Sequence, residues 1–192
     1  MILGITGGTG CGKTTLLSLI AELGGTVLDC DTIYHTLLKT DKSLLSAIEE
    51  RFPGVTAEGV LDRKKLGSIV FSDEKALLDL NRITHSAVKE EVLRRLAEMP
   101  ALAAIDAIGL FEGRLAELCD VTVAVTAPED VRIRRLVLRD GITEEYARSR
   151  IAAQHSMDWF AANCDHVLEN DTTEEAFRTK CLAFLRGLGI MK

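Results

Sequence analysis

One lysine, Lys13, follows Gly12 and precedes two threonines, Thr14 and Thr15, at the end of the run GITGGTGCGKTT. The spacing Gly7-x4-Gly12-Lys13-Thr14 is that of a loop which turns its backbone N–H groups inward around a phosphate. Glycine supplies the torsions such a loop needs and lets an anion approach the main chain closely. The candidate ligand-binding residues are therefore Gly7, Gly8, Thr9, Gly10, Cys11, Gly12, Lys13, Thr14 and Thr15. In that setting Lys13 spans the β- and γ-phosphates and the Thr14 hydroxyl ligates Mg²⁺. A helix beginning near Lys13 adds the partial positive charge of its N-terminus. The chemistry implied is the binding of a nucleoside triphosphate and the handling of its terminal phosphoryl group.

Two protein classes use such a loop: nucleotide-dependent switches, and kinases that move the phosphoryl group to a small acceptor. A guanine-reading NKxD segment would favour the switch, and the sequence has none. A kinase must balance the charge of the transferring group from outside the loop, which calls for later arginines. Arg132, Arg135 and Arg139 recur at i, i+3 and i+7 on one helical face, and Arg148 and Arg150 follow. A solvated charged face is the competing reading of this cluster.

The elements that must position these residues alternate between strand and helix. Apolar runs predict strands at Ile2–Ile5, Thr26–Asp29, Leu102–Asp106, Val121–Thr126 and His166–Leu168. Leu16, Leu19, Ile20 and Leu23 recur at helical spacing after the loop, and Gly24-Gly25 ends that helix. Thr172 to Glu175 has capping-box spacing and opens a last helix to about Arg186. This alternation predicts an α/β fold, a parallel sheet with helices on both faces. Some 70 residues between the second and third strands hold no predicted strand and read as helices at Asp31–Leu38, Ser43–Arg51, Asp62–Phe71 and Asp73–Ala97. On the longest, Leu77, Leu80, Ile83 and Ala87 share one side, and Lys75, Arg82, His85 and Lys89 lie opposite. An insert so long has its own task.

Length and charge bound the rest. At 192 residues the chain fits a single domain with a small insert. Its net charge of -6 gives no global field that would recruit nucleic acid or an anionic membrane surface. No apolar run approaches the roughly 20 residues of a membrane span, and the N-terminus carries no signal-peptide pattern. Cys11, Cys30, Cys119, Cys164 and Cys181 are scattered without metal-ligand spacing, which points to a reducing, cytoplasmic setting.

In an ordered set of segments the whole chain resembles the dephospho-CoA kinase family. GITGGTGCGKTT is similar to its GLTGGIGSGKST, VLDCD (27–31) to VIDAD, and DRKKLGSIVF (62–71) to its DR-x-x-L segment. ITHS (83–86), IGLFE (108–112), RRLVLRD (134–140), RIAAQ (150–154) and VLEN (167–170) fall on further family segments in order. Departures include Ser86 for a proline, Ile108-Gly109 for Pro-Leu, and no arginine in HSMDWFAANCD after Gln154.

The resemblance implies a P-loop kinase fold: a five-stranded parallel core, a helical CoA-binding insert near residues 32–100 and a lid near 139–163. It implies transfer of phosphate from ATP, with Mg²⁺, to the ribose 3′-hydroxyl of dephospho-CoA. Another small-molecule or nucleoside monophosphate kinase is the alternative. It makes Lys13, Asp31 and Arg139 catalytic and adds Arg135 and Asn170 to the ATP site. Arg63, Arg82, His85, Glu112 and Gln154, with Asp31, are assigned to the acceptor. Asp31 reads equally as the cap of the following helix, while Asp29 reads as structural. Asp106 could hold Mg²⁺ through water or simply cap its strand. Asn170 could serve the adenine region or cap the last helix, and the expected state is a monomer or weak homo-oligomer.

Overall fold

The computed structural model describes residues 1–57, 59–98 and 101–191. These residues divide into two compact units. The first comprises 1–28, 101–110 and 116–191, and the second 29–57, 59–98 and 111–115. Among the described residues no helix is long and apolar enough to cross a membrane.

The first unit is built on a five-stranded sheet. Its strands are β1 (Ile2–Thr6), β2 (Thr26–Asp29), β5 (Ala103–Asp106), β6 (Val121–Thr126) and β7 (His166–Glu169), in the order β2-β5-β1-β6-β7. Strand β1 pairs parallel with β5 on one side and β6 on the other, and β6 pairs parallel with β7. Burial explains why the central strands read as unbroken apolar runs: Leu3, Ile5, Ala104, Val123 and Val125 are all fully inaccessible. Helices α1 (Lys13–Glu22) and α9 (Glu174–Gly187) pack beside each other, and Leu16, Ile20, Phe177, Cys181 and Leu185 join the strand residues in one core. Helices α6 (Glu129–Asp140), α7 (Glu144–Ala152) and α8 (Met157–Asn163) complete the unit. The chain crosses from one half of the sheet to the other around β1, so the carboxyl end of β1 is where a ligand site belongs in an open α/β sheet.

Edge strand β7 is fixed at both ends. Thr122 donates its N–H and hydroxyl to Asp165 Oδ2, at 2.8 and 2.7 Å, and Asp165 N–H returns a bond to Thr122 Oγ1 at 3.0 Å. Those bonds from Thr122 hold the Asp165 carboxyl below the usual range. At the far end Asn170 N–H donates to the Thr126 carbonyl at 2.7 Å.

The second unit is helical: α2 (Cys30–Thr40), α3 (Lys42–Arg51), α4 (Arg63–Val70) and α5 (Glu74–Leu96). Leu38, Leu44, Ile48, Phe52, Leu66, Val70 and Leu80 form its core. An aspartate caps each helix: Asp29 accepts from Thr32 N–H, Asp41 from Ser43 and Leu44, Asp62 from Lys65, and Asp73 from Lys75 and Ala76.

Two sequence expectations are corrected here. The insert contains a two-stranded hairpin, β3 (Thr56–Ala57) with β4 (Val60–Leu61), where only helices were predicted. Two residues per strand leave no alternation to detect, and Glu49 holds the hairpin from outside by accepting from Thr56 N–H at 2.8 Å. The last helix is capped by Thr173, whose Oγ1 accepts from Ala176 N–H at 3.3 Å, one residue beyond the predicted Thr172. The deepest row of α5 is Ala76, Leu80, Thr84, Val88 and Val92, with Leu77, Ile83 and Ala87 half-buried beside it. Thr84 joins that row because its hydroxyl donates to the Leu80 carbonyl, which satisfies it in the core.

Because Asp29 supplies the α2 cap, Asp29→Ala should lower unfolding free energy by about 1 kcal/mol, measured by urea denaturation. Loss of kinase activity without that change in stability would refute the capping role.

Candidate active site

The phosphate-binding loop leaves the carboxyl end of β1 and runs into α1. Gly7 has φ +134°, and a Cβ there would collide with the Val125 carbonyl oxygen of the neighbouring strand. Gly12 has φ +87°, and a Cβ would strike the Asn170 side-chain amide. Only glycine fits either place. Turning N–H groups inward turns carbonyls outward, and the surroundings meet them. Lys13 Nζ donates to the Gly7 carbonyl at 3.1 Å, Arg132 Nε to the Thr9 carbonyl at 2.9 Å, and Asn170 Nδ2 to the Cys11 carbonyl at 2.8 Å. The Lys13 ammonium lies 3.8 Å from Asp106 Oδ1, at the end of β5.

The later arginines of α6 divide sharply. Arg132 is 3% exposed and lies under the loop. Arg135 donates to Asn170 Oδ1 at 3.0 Å and reaches the carbonyls of Gly10 and Cys11 at 3.4 Å. Arg139 pairs with Asp140 at 2.6 Å, and Arg150 meets the same carboxylate at 2.8 Å. Arg139 first, then Arg150, holds the Asp140 carboxyl down at about 2. Arg148 bridges Glu144 and Glu129 on the surface. A cleft of about 450 Å³ lies over the loop, lined by Gly10, Gly12, Thr14, Arg135, Arg139 and Asn170. Thr14 is exposed there in the first turn of α1.

Asn170 is not the cap of the last helix. It is 4% exposed, with its amide shared between the Cys11 carbonyl and Arg135. Gln154, assigned by resemblance to the acceptor, accepts from the loop's Thr9 N–H at 2.8 Å and from Arg132 at 3.4 Å. The segment expected to be the second half of a lid thus rests on the loop, and Met157 Sδ lies 3.5 Å from Cys11 Sγ. His155 stacks on Trp159 at 3.8 Å between ring centroids.

In the second unit Asp31 is exposed in the first turn of α2, and the capping role falls to Asp29, so the structural reading of Asp31 is removed. Arg63 lines an apolar groove of about 220 Å³ with Tyr34, Leu66, Phe71 and Leu80. Burial pushes the Tyr34 hydroxyl up, against the opposing charge of Arg63. Arg82 pairs with Asp79 at 3.2 Å, and Asp79 also holds Arg51 at 2.8 Å. His85 is half-buried on α5, and Glu112 lies in segment 111–115.

Arg132 belongs to the arginine cluster seen in the sequence but was assigned no place in the site, and it is the arginine buried against the loop. Its i, i+3, i+7 relation to Arg135 and Arg139 was visible, but not which of the three is buried. Among the described residues no group of three or more His, Cys, Asp or Glu gathers to hold a metal ion.

A parallel sheet in this order, a glycine loop after its central strand and helices flanking it define a P-loop kinase fold. The same fold is found in shikimate kinase from Bacteroides thetaiotaomicron, at TM-score 0.56 and 18% identity over 98% of both chains. The chain belongs to the dephospho-CoA kinase family, whose sequence model matches residues 1–175. It is 36% identical to the dephospho-CoA kinase of Syntrophotalea carbinolica over 98% of this chain and 92% of that one. A crystal structure of TT1252 from Thermus thermophilus superposes at TM-score 0.81, with 31% identity over 98% and 97% of the two chains. The chain is accordingly an ATP-dependent kinase of coenzyme A biosynthesis.

The Cys11 thiol is raised by burial, which outweighs the lowering effect of Arg132 and Lys13. Burial likewise lifts Cys119 to about 12, and Cys164 and Cys181 to about 11. Protonated thiols are poor nucleophiles. Native protein at pH 8 should therefore resist iodoacetamide at all four positions, and unfolded protein should not. Rapid labelling of Cys11 in the native state, read by mass spectrometry, would contradict this.

Proposed function

We propose that Lys13, Asp31 and Arg139 carry phosphoryl transfer from ATP to the ribose 3′-hydroxyl of dephospho-CoA, giving ADP and coenzyme A. One observation supports this most: in a chain of this family, the lysine of the phosphate cradle is held between the Gly7 carbonyl and Asp106. From there its ammonium meets the β- and γ-phosphates as charge shifts toward the leaving oxygen.

Asp31 is free of the capping duty that would otherwise explain it. A carboxylate accepting the hydroxyl proton holds the nucleophile in line, and in a loose transition state the proton leaves late. Arg139 reaches the transferring group by exchanging its Asp140 partner, an exposed pair that costs little to break. Arg135 and Asn170 hold the nucleotide through the loop they brace. Arg63, Arg82, His85 and Glu112 receive the acceptor. Gln154 has no acceptor role in this account, because its amide oxygen is engaged by Thr9.

Magnesium fits the donors available. The exposed Thr14 hydroxyl and the Asp106 carboxylate are hard oxygen donors, and Mg²⁺ usually adds phosphates and water to one or two such ligands. When bound, it neutralises charge on the β- and γ-oxygens. The five scattered thiols suit a reducing compartment, and we place the enzyme in the cytoplasm as a monomer or weak homo-oligomer, with no nucleic acid or membrane partner.

A coupled ADP-release assay with dephospho-CoA, AMP, shikimate and gluconate as acceptors tests the reading, and turnover should require dephospho-CoA. Lys13→Ala should cut kcat by about 10²-fold or more with the fold intact. Near-normal turnover in that variant would remove the phosphate-loop assignment. Asp31→Asn keeps shape but not basicity, and kcat should fall by about 10²–10⁴-fold with ATP affinity nearly kept. If turnover survives while stability drops, the base must be sought elsewhere.

A further inference from the structure

We propose that Gln154 is a positioning residue of the ATP site, a neutral partner that holds the phosphate loop at Thr9 while leaving the buried charge of Arg132 uncompensated beneath it. The inference rests on the reading of the loop as the ATP site.

The geometry is a closed bracket around one residue. Gln154 Oε1 accepts from Thr9 N–H at 2.8 Å, and Arg132 Nε donates to the Thr9 carbonyl at 2.9 Å. Arg132 Nη2 closes the ring on the same Gln154 oxygen at 3.4 Å. Both polar backbone groups of Thr9 are thus taken by side chains on its outer side. The bracket also fits the glycines it touches: a Cβ on Gly8 would collide with the Arg132 guanidinium, and one on Gly10 would come within 2.9 Å of the Arg132 carbonyl oxygen. Met157 adds a second support from the same segment, since a Cβ on Gly8 would lie 2.9 Å from its terminal methyl.

The charge is the less ordinary part. An arginine only 3% exposed is normally paired with a carboxylate, because burying a lone charge is costly. Here, among the described residues, the groups that accept from the Arg132 side chain are neutral, the Thr9 main-chain carbonyl and the Gln154 amide oxygen. Its positive field is therefore unspent within the protein, and it already acts on Cys11, whose thiol it draws downward against burial. An anion bound inside the loop meets that field in a medium of low dielectric, where it is screened little. Glutamine matters here because it supplies the acceptor without the negative charge. Glutamate would hold Thr9 equally well, and would stabilise the empty protein by pairing with Arg132, but at the expense of the ligand.

Two substitutions separate this from a purely structural role. Gln154→Glu should melt at or above the wild-type temperature yet bind ATP about tenfold more weakly by titration calorimetry. A structural contact alone predicts unchanged affinity, and wild-type affinity in a stable Gln154→Glu protein overturns the proposal. Should that variant fail to fold, Arg132→Met decides: it removes the charge while filling the buried space, and should raise the Kd for ATP by tenfold or more. Wild-type affinity in Arg132→Met overturns the proposal in turn. A wild-type protein that binds no ATP overturns the reading of the loop as well, and is distinguished by its own titration before any variant is compared.

Discussion

A phosphate cradle built from main chain has a cost on its outer side: every N–H aimed at the ligand aims a carbonyl away from it. Unmet buried carbonyls are costly, so the outer side must be lined with donors. Here the donors come from two directions, Arg132 and Arg135 from α6 and Asn170 from the end of β7. Both elements are therefore locked to the loop by the same requirement that shapes it. The cations do double duty, because the groups that satisfy outward carbonyls also supply positive charge behind the inward amides. The loop is neutral as covalent structure, yet it sits in a cationic shell.

The second unit solves a different problem with a repeated device. Each of its four helices begins at an aspartate whose carboxylate takes the first free N–H groups. Negative charge at those ends also matches the helix dipoles. The device leaves the apolar faces free to build the core around Phe52, Leu66 and Leu80. It also clarifies the two carboxylates at the start of α2. Asp29 is spent on the cap, and Asp31 is left exposed.

The sheet, the loop and every long helix were legible in the sequence because each carries a periodic or motif signal longer than the uncertainty at its ends. The hairpin at Thr56–Leu61 was not, since two-residue strands have no period. The cap of α9 was misread by one residue, because Thr172 and Thr173 are chemically equivalent and backbone torsion alone decides between them. The site was legible in its first layer only. Lys13 and the glycines announce themselves, whereas Arg132, Arg135 and Arg139 are alike in type and face. Their different fates depend on distance from the loop, which rises along α6. Gln154 was assigned by resemblance to the acceptor, and no local signal in the sequence ties it to an amide 145 positions away.

The Thr122–Asp165 ring gives β7 the character of a ruler. Its zero mark is Asp165, at one end of the edge strand, and five residues on, about 17 Å at the ordinary rise per residue, the mark falls on Asn170. A slip of one position would turn Leu168 out of the core and Glu169 into it. It would also deliver Glu169 or Asp171 to the Cys11 carbonyl, and a carboxylate has no proton to offer there. Which chemical group stands behind the phosphate loop is thus decided at the opposite end of the edge strand, by a threonine and an aspartate that bond to each other and not to the loop.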